Sequence, residues 1–249
     1  MSESNEVLEL MSAHRTVRRF RKTPVPDAHV AAAVRAAQMA STSSWIQAYS
    51  LLQVTNPAER RLLREYTGDQ AQVEEAGAFF CISADTRRHR LIAERAGAPY
   101  EGNLETFLLA LTDTALFAQN LALAFESQGY GICFVGGLRT RLPEVDSLLQ
   151  LPHGVWPLFG MCVGEPANPQ TRSDVRPRLP VDLVWSKDRY PADEAVLDAI
   201  DAYDDRAADY YTERGSPGRN WSAGTWRKFQ RRLREHLLDY YRSKGATFE

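Results

Sequence analysis

Cysteine is scarce in this chain, with three in 249 residues. Cys81, Cys133 and Cys162 each lie in an apolar run (AFFCISA, GICFVGG, LFGMCVG), and no CxxC pair occurs. That argues against a disulfide scaffold or a metal site and reads the three thiols as small buried hydrophobes. Long uninterrupted apolar runs are missing too. The best candidate, FLLALTDTALFAQNLALAF at 107–125, is broken by Thr112, Asp113, Thr114, Gln119 and Asn120, which predicts a buried helix rather than a membrane span. The start, MSESNEVLEL, has no basic residue leading into an apolar stretch, so no secretory signal is expected. A reducing cytoplasm fits these absences. Net charge of -2 gives no bulk positive field for nucleic acid or an anionic membrane. Internal repeats, low-complexity tracts and a clear domain linker are also lacking.

What is present is the composition of a globular protein, 44% hydrophobic and 25% charged, enough to bury a core. A short helix is expected over Glu6–Ala13, then an extended basic segment, then a helix from the Pro26-Asp27 start signal. YSLLQVT, AFFCISA, GICFVGG and PLFGMCVGEP read as strands, AFFCISA buried on both faces. AERRLLREY follows the Asn56-Pro57 turn as a helix. A long helix from Leu104 to Gln128, apolar around most of its circumference, belongs at the centre of the molecule or of a dimer. From Pro166 to Pro180 the chain turns proline-rich, which predicts a long ordered loop. Helices are expected at Asp193–Glu213 and Thr225–Lys244, separated by Gly-Ser-Pro-Gly at 215–218. The simplest organisation is one α+β domain over 1–249 with a helical C-terminal extension from about 191.

Against this slightly acidic background HRTVRRF, at 14–20, concentrates a histidine and three arginines. In an extended segment His14, Thr16 and Arg18 share one face while Arg15, Val17 and Arg19 share the other. The first set is the donor inventory that a phosphate ester on a larger polar ring requires; a solvated basic strand edge uses the same residues. Arg176 and Arg178 sit in RPRLP, where the prolines limit the loop's freedom, and a solvated turn is the alternative there. Ser41, Thr42, Ser43 and Ser44 stand between a helix and a strand, where hydroxyls serve either a ligand or a connector. Val135-Gly136-Gly137 ends a buried strand, allowing close approach to the backbone or simply a tight turn.

Taken in order, HRTVRRF, ASTSSWIQ, YTGDQ, FVGGLR, PLFGMCVGEPA, RPRLP and YYTERGS resemble the flavin-dependent, oxygen-insensitive nitroreductase family, in its NADPH-preferring major nitroreductase and flavin reductase branch. The likeness runs from His14 to Gly245. It implies a nitroreductase fold, a mostly antiparallel sheet wrapped by helices, in an intertwined homodimer with FMN at the subunit interface. By the same resemblance His14, Arg15 and Thr16 would hold the FMN phosphate end, with Arg18 nearer the pyrimidine. Arg176 and Arg178 would close on the phosphate, keeping the charge of the Lys-Pro-Arg usual in the branch. Ser41, Thr42 and Ser43 would meet the flavin from the partner subunit, Gln70 would read the pyrimidine edge, and Val135, Gly136 and Gly137 would approach N5. Ser44, Trp45 and Arg139 would border the face where substrates stack. Arg214 and Arg219 match the arginines that take the NADPH 2′-phosphate, and Arg234 matches a basic residue at the substrate channel.

The chemistry implied is ping-pong hydride transfer from NADPH through FMN to a nitroaromatic, a quinone or free flavin, with no catalytic triad or metal. Arg18 would stabilise the charge of the reduced cofactor. Rival readings are a flavin storage or delivery module, a flavin reductase or dehalogenase on the same scaffold, and a nucleic-acid binder using RKFQRRLRE at 227–235. The last lacks any recognised nucleic-acid motif.

Overall fold

The computed structural model describes residues 5–168 and 175–248. Contacts divide the chain into two compact units, Met1–Gln170 with His236–Glu249, and Thr171–Glu235.

The first unit is built on four strands, β1 (Tyr49–Gln53), β2 (Ala78–Asp85), β3 (Gly131–Val135) and β4 (Val155–Gly164), in the order β1-β2-β4-β3. Every neighbouring pair is antiparallel. All eight residues of β2 are buried, as its near-continuous apolar run requires of a strand covered on both faces. Around the sheet lie α1 (Glu6–Ser12), α2 (Asp27–Ala37), α3 (Pro57–Tyr66), α4 (Ala71–Glu75), α5 (Arg87–Ala96), α6 (Leu104–Ser127) and α7 (Leu142–Leu149). Local signals explain several of their ends. Pro57 opens α3 behind Asn56, whose side chain accepts from the Ala58 amide at 2.9 Å. Asn103 and Thr106 form a reciprocal capping box at the start of α6, and Gly97, at φ 65°, ends α5. The short α4, α5 and α7 were not expected from periodicity; α5, for example, buries none of its residues fully and so carries no apolar stripe to read.

α6 lies on one face of the sheet. Its Phe117, Leu121 and Phe125 join Tyr49, Phe80, Ile82, Met161 and Val163 in one core, with Phe117 stacked on Tyr49 at 4.3 Å between ring centroids. Although α6 is long and apolar enough to cross a membrane, this face is buried in protein. The opposite face of the sheet carries Phe79, Leu63, Val73 and Leu138 and all three cysteines. Burial pushes the Cys81 thiol up to about 12 and also raises Cys133 and Cys162, as expected of inert, buried sulfur.

The second unit contains α8 (Val181–Val184), α9 (Asp193–Thr212) and α10 (Trp221–Phe229), while α11 (Leu237–Ser243) belongs to the first. The single helix expected over Thr225–Lys244 is therefore two helices. Between them residues 230–236 leave the helix, and Arg234 takes φ 52°. The physical reason is charge and anchoring. A continuous helix would set Arg227 against Arg231 and Lys228 against Arg232, like charges one turn apart. Meanwhile α11 is fastened to the sheet unit by buried Tyr240 and Tyr241 and by a Trp156 Nε1 bond to the Lys244 carbonyl at 2.9 Å.

Candidate functional site

The basic segment lies beside β3. Thr16 pairs with Ile132 in a parallel bridge, the Val17 amide donates to the Ile132 carbonyl at 2.9 Å, and Phe20 bridges Pro166. Val17 and Phe20 turn inward and are buried. Gly131 makes room for this, since a Cβ there would lie 2.5 Å from Val17 Cγ2. Thr16 and Arg18 face outward, as alternation predicts. Alternation fails on both sides: Arg19, expected on the Val17 face, is exposed, and Phe20 is buried where it bridges Pro166. Arg15 lines the same cleft as His14, because residues 13 and 14 still belong to the turn that closes α1, with the His14 amide bonded to the Met11 carbonyl at 3.3 Å.

That cleft, of about 460 Å³, is lined by His14, Arg15, Arg21, Glu126 and Tyr130 among others. His14 Nδ1 lies 2.7 Å from Glu126 Oε1, which fixes the ring and leaves Nε2 as its other polar edge. Glu126 Oε2 and Arg15 Nε are buried without a partner among the described residues. Sequence reasoning missed Glu126. Its signal was a lone carboxylate near the end of an otherwise apolar helix.

Two distant motifs meet at the end of β3. Gln70 Nε2 donates to the Thr67 carbonyl at 2.8 Å, and its Oε1 accepts from Gln72 Nε2 at 3.0 Å. A Cβ on Gly137 would lie 2.3 Å from Gln70 Nε2 and 2.4 Å from the Thr67 carbonyl oxygen. Only a missing side chain permits that approach. The Cys133 thiol, raised by burial, is pulled back by the Arg18 charge and the Gln72 amide, so HRTVRRF, TGDQ and FVGG share one neighbourhood. Val135 is buried. Arg139 donates to the Leu158 carbonyl, and its own carbonyl accepts from His236 Nε2 at 3.1 Å, which ties this side chain back to β4.

The hydroxyl string is elsewhere. Asp113, fully buried, accepts from the Ser43 amide at 2.9 Å and the Ala48 amide at 3.1 Å. These bonds brace a loop in which Ser44, Trp45 and Gln47 all have positive φ (46°, 60° and 53°), a conformation that costs on the order of 1–3 kcal/mol per residue. Trp45 is 82% exposed. Asp113 and Glu126 lie on the same helix, about 20 Å apart at 1.5 Å per residue. Within one chain, therefore, Ser41, Thr42 and Ser43 stand beside the middle of α6 and His14 at its C-terminal end. Sequence reading saw Asp113 only as an interruption of the apolar run; a carboxylate set about one turn from apolar Ala110 and Phe117 was the available sign.

The remaining predicted residues fall in the second unit. Arg176 and Arg178 line a cavity of about 410 Å³ whose walls include Tyr203, Tyr210, Tyr211 and Trp221. Arg178 Nη1 donates to the Arg176 carbonyl at 3.0 Å, and Tyr203 donates to the Pro177 carbonyl at 2.9 Å. Of the loop expected from Pro166 to Pro180, residues 169–174 lie outside the described residues. Arg214 packs over the Tyr210 ring and Arg219 over Tyr211. Arg234 sits in the non-helical link after α10.

Comparison with known proteins identifies the family and the fold. Residues 11–165 match the Nitroreductase family and residues 176–249 match the Nitroreductase family, C-terminal domain. The chain is 38% identical to an FMN reductase (NADPH) of Bacillus subtilis, over 97% of this chain and 98% of the relative. It is 39% identical to an oxygen-insensitive NADPH nitroreductase of Salmonella typhimurium, over 96% and 97% of the two chains. The solved NfrA1 nitroreductase from B. subtilis superposes with a TM-score of 0.92 at 38% identity, covering 96% of this chain and 98% of that one. With both halves matched and the fold shared from end to end, the chain belongs to the nitroreductase family.

Proposed function

We infer that the protein is an FMN-dependent NADPH oxidoreductase that reduces nitroaromatics, quinones or free flavin in a ping-pong cycle. The observation that supports the site is the close approach of Gln70 to Gly137 after β3, with Thr16 of the basic segment bridged to Ile132 on the same strand. The residues fit FMN chemically. An amide meets a side-chain-free backbone at Gly137, Arg18 faces outward from the segment beside β3, and the cleft at His14 holds a buried Arg15 Nε with no partner among the described residues.

FMN, when bound, supplies the hydride store between NADPH and the acceptor. The chain's own residues do the rest. His14, Arg15 and Thr16 hold the phosphate end, with Glu126 setting the His14 ring. Arg18 presents fixed positive charge where the reduced cofactor gains electrons, Gln70 reads the polar edge of the ring, and Val135, Gly136 and Gly137 keep side chains away from its reactive face. Arg176 and Arg178 contribute two guanidiniums to the phosphate, and Arg214 with Arg219 selects the 2′-phosphate of NADPH. Ser44, Trp45, Arg139 and Arg234 line the approach of the acceptor.

A homodimer completes this site. Ser41, Thr42 and Ser43, held about 20 Å along α6 from their own chain's His14, then serve the partner's cofactor. The exposed Leu104, Leu108 and Leu111 on α6 supply apolar surface for such an interface. A reducing cytoplasm suits three free, buried thiols.

The test is anaerobic. Protein loaded with FMN and freed of excess is mixed with NADPH, or with NADH for comparison, and flavin bleaching is followed by stopped flow. Fast bleaching by NADPH, reversed by a quinone, is expected. FMN retained without bleaching would make the protein a storage module, and no retained FMN would remove the reading altogether.

A further inference from the structure

We propose that Tyr210 and Tyr211 are positioning residues for pyridine nucleotide selection, acting as an aromatic shelf that holds Arg214 and Arg219 ready for a phosphate monoester. This rests on the reading of those two arginines as the 2′-phosphate site.

The geometry begins with α9. Its last turn carries the two adjacent tyrosines, with ring centroids 5.7 Å apart and planes crossing at 78°. Arg214 lies directly over Tyr210, its guanidinium carbon 3.8 Å from the ring centroid, and Nη1 donates to the Tyr210 carbonyl at 3.3 Å. Only 29% of the Arg214 side chain is exposed, although the residue sits at a helix end. Arg219 returns to the neighbouring ring, 5.2 Å above Tyr211. The connection between the arginines is short, four residues. Gly215 and Gly218 take φ 68° and 78°, conformations suited to glycine, and Pro217 between them has a fixed φ. The two guanidiniums are thus tied to adjacent rings through a short turn.

An arginine laid flat on a ring keeps its in-plane N–H groups for a second partner. Stacking uses the face of the guanidinium, whereas a phosphate is bound through its edge, so the two interactions do not compete. The shelf also removes rotamer freedom before the ligand arrives, which lowers the entropic cost of binding. Nearby carboxylate competition is weak for Arg214, since Glu213 Oε2 is 3.8 Å away and three-quarters exposed. A dinucleotide lacking the 2′-phosphate gains nothing from this preparation. The tyrosines therefore govern discrimination between NADPH and NADH rather than hydride transfer.

The experiment compares the NADPH-to-NADH ratio of kcat/KM in full-length, FMN-loaded protein. Tyr210→Leu is expected to lower that ratio about fivefold, through KM for NADPH, with kcat and the NADH constants unchanged. Tyr210→Phe keeps a ring and holds the ratio within about twofold. In an Arg214→Ala background, Tyr210→Leu produces no further loss, the non-additivity expected when one residue acts only through another. Tyr211→Leu, paired in the same way with Arg219→Ala, gives an independent arm that stands if Tyr210→Leu fails to fold. An unchanged ratio in both leucine variants, alongside a fallen ratio in the arginine variants, would overturn the shelf. An unchanged ratio in the arginine variants themselves would instead overturn the 2′-phosphate reading on which it rests.

Discussion

The sheet unit and the arm unit are held together by different physics. Around the sheet, Phe79, Phe80, Phe117, Phe125 and Trp156 are essentially sealed from solvent, and burial of apolar surface supplies the stability. In the arm, Tyr203 and Ala207 are the buried residues among those described, and order comes from ring contacts, stacked guanidiniums and side chains that cap helix ends. The difference maps onto the tasks assigned to each. A rigid sheet edge suits a cofactor whose polar rim is read by fixed groups. A lightly buried arm suits a nucleotide that must arrive and leave in every cycle.

Substitutions can break or sharpen this contrast. The largest effect is expected in the core, where Phe117→Ala removes a fully buried ring stacked on Tyr49 and should cost about 3–5 kcal/mol in urea unfolding. A loss below about 1 kcal/mol would mean that the sheet unit does not depend on this packing. Next is Gly137→Ala, whose methyl would press on Gln70 and on the Thr67 backbone. Overpacking of about 1–3 kcal/mol should weaken FMN retention roughly tenfold while leaving the arm's nucleotide selectivity intact. Equilibrium dialysis showing unaltered FMN affinity would count against the Gln70 and Gly137 junction as the cofactor site.

The thiols give the contrast a pH dependence. Cys81 has its pKa raised from 9.0 to about 12 by burial, so the folded chain keeps a proton that the unfolded chain releases. Its contribution is fully present below about pH 9 and is lost as pH climbs toward about 12, by about 1.4 kcal/mol per pH unit. Denaturant midpoints measured above pH 9 should fall less steeply for Cys81→Ala; identical slopes would refute the assignment. The smallest effect is expected in the arm. Asp204 accepts from the Trp221 amide at 2.9 Å and the Ser222 amide at 2.8 Å, satisfying the first turn of α10. Asp204→Ala should cost about 1 kcal/mol and speed hydrogen exchange in α10 alone. Faster exchange spreading into β2 or β4 would show that the units unfold together.

Legibility followed the range of the forces involved. The strands and the long helix could be read because their signals repeat every two or about 3.6 residues. HRTVRRF stood out by charge, and its inward Val17 and outward Thr16 and Arg18 followed from alternation. Asp113 and Glu126 could not be assigned, because each looked like a flaw in an apolar helix until its partner arrived from elsewhere in the chain. The break at 230–236 was hidden for the opposite reason. The segment read as one helix, and like charges one turn apart together with the burial of Tyr240 and Tyr241 against the sheet decided otherwise.

Sequence by itself determined the inventory: four strands, a central apolar helix, clustered arginines and two glycines after a buried strand. Tertiary structure decided adjacency. It set His14 on Glu126 across 112 residues, put Gly137 against Gln70, and held Ser43 at Asp113 near the middle of α6 while His14 went to its C-terminal end. Periodicity acts between neighbours along the chain, whereas these pairings exist only after the core has closed and brought distant polar groups within hydrogen-bonding range.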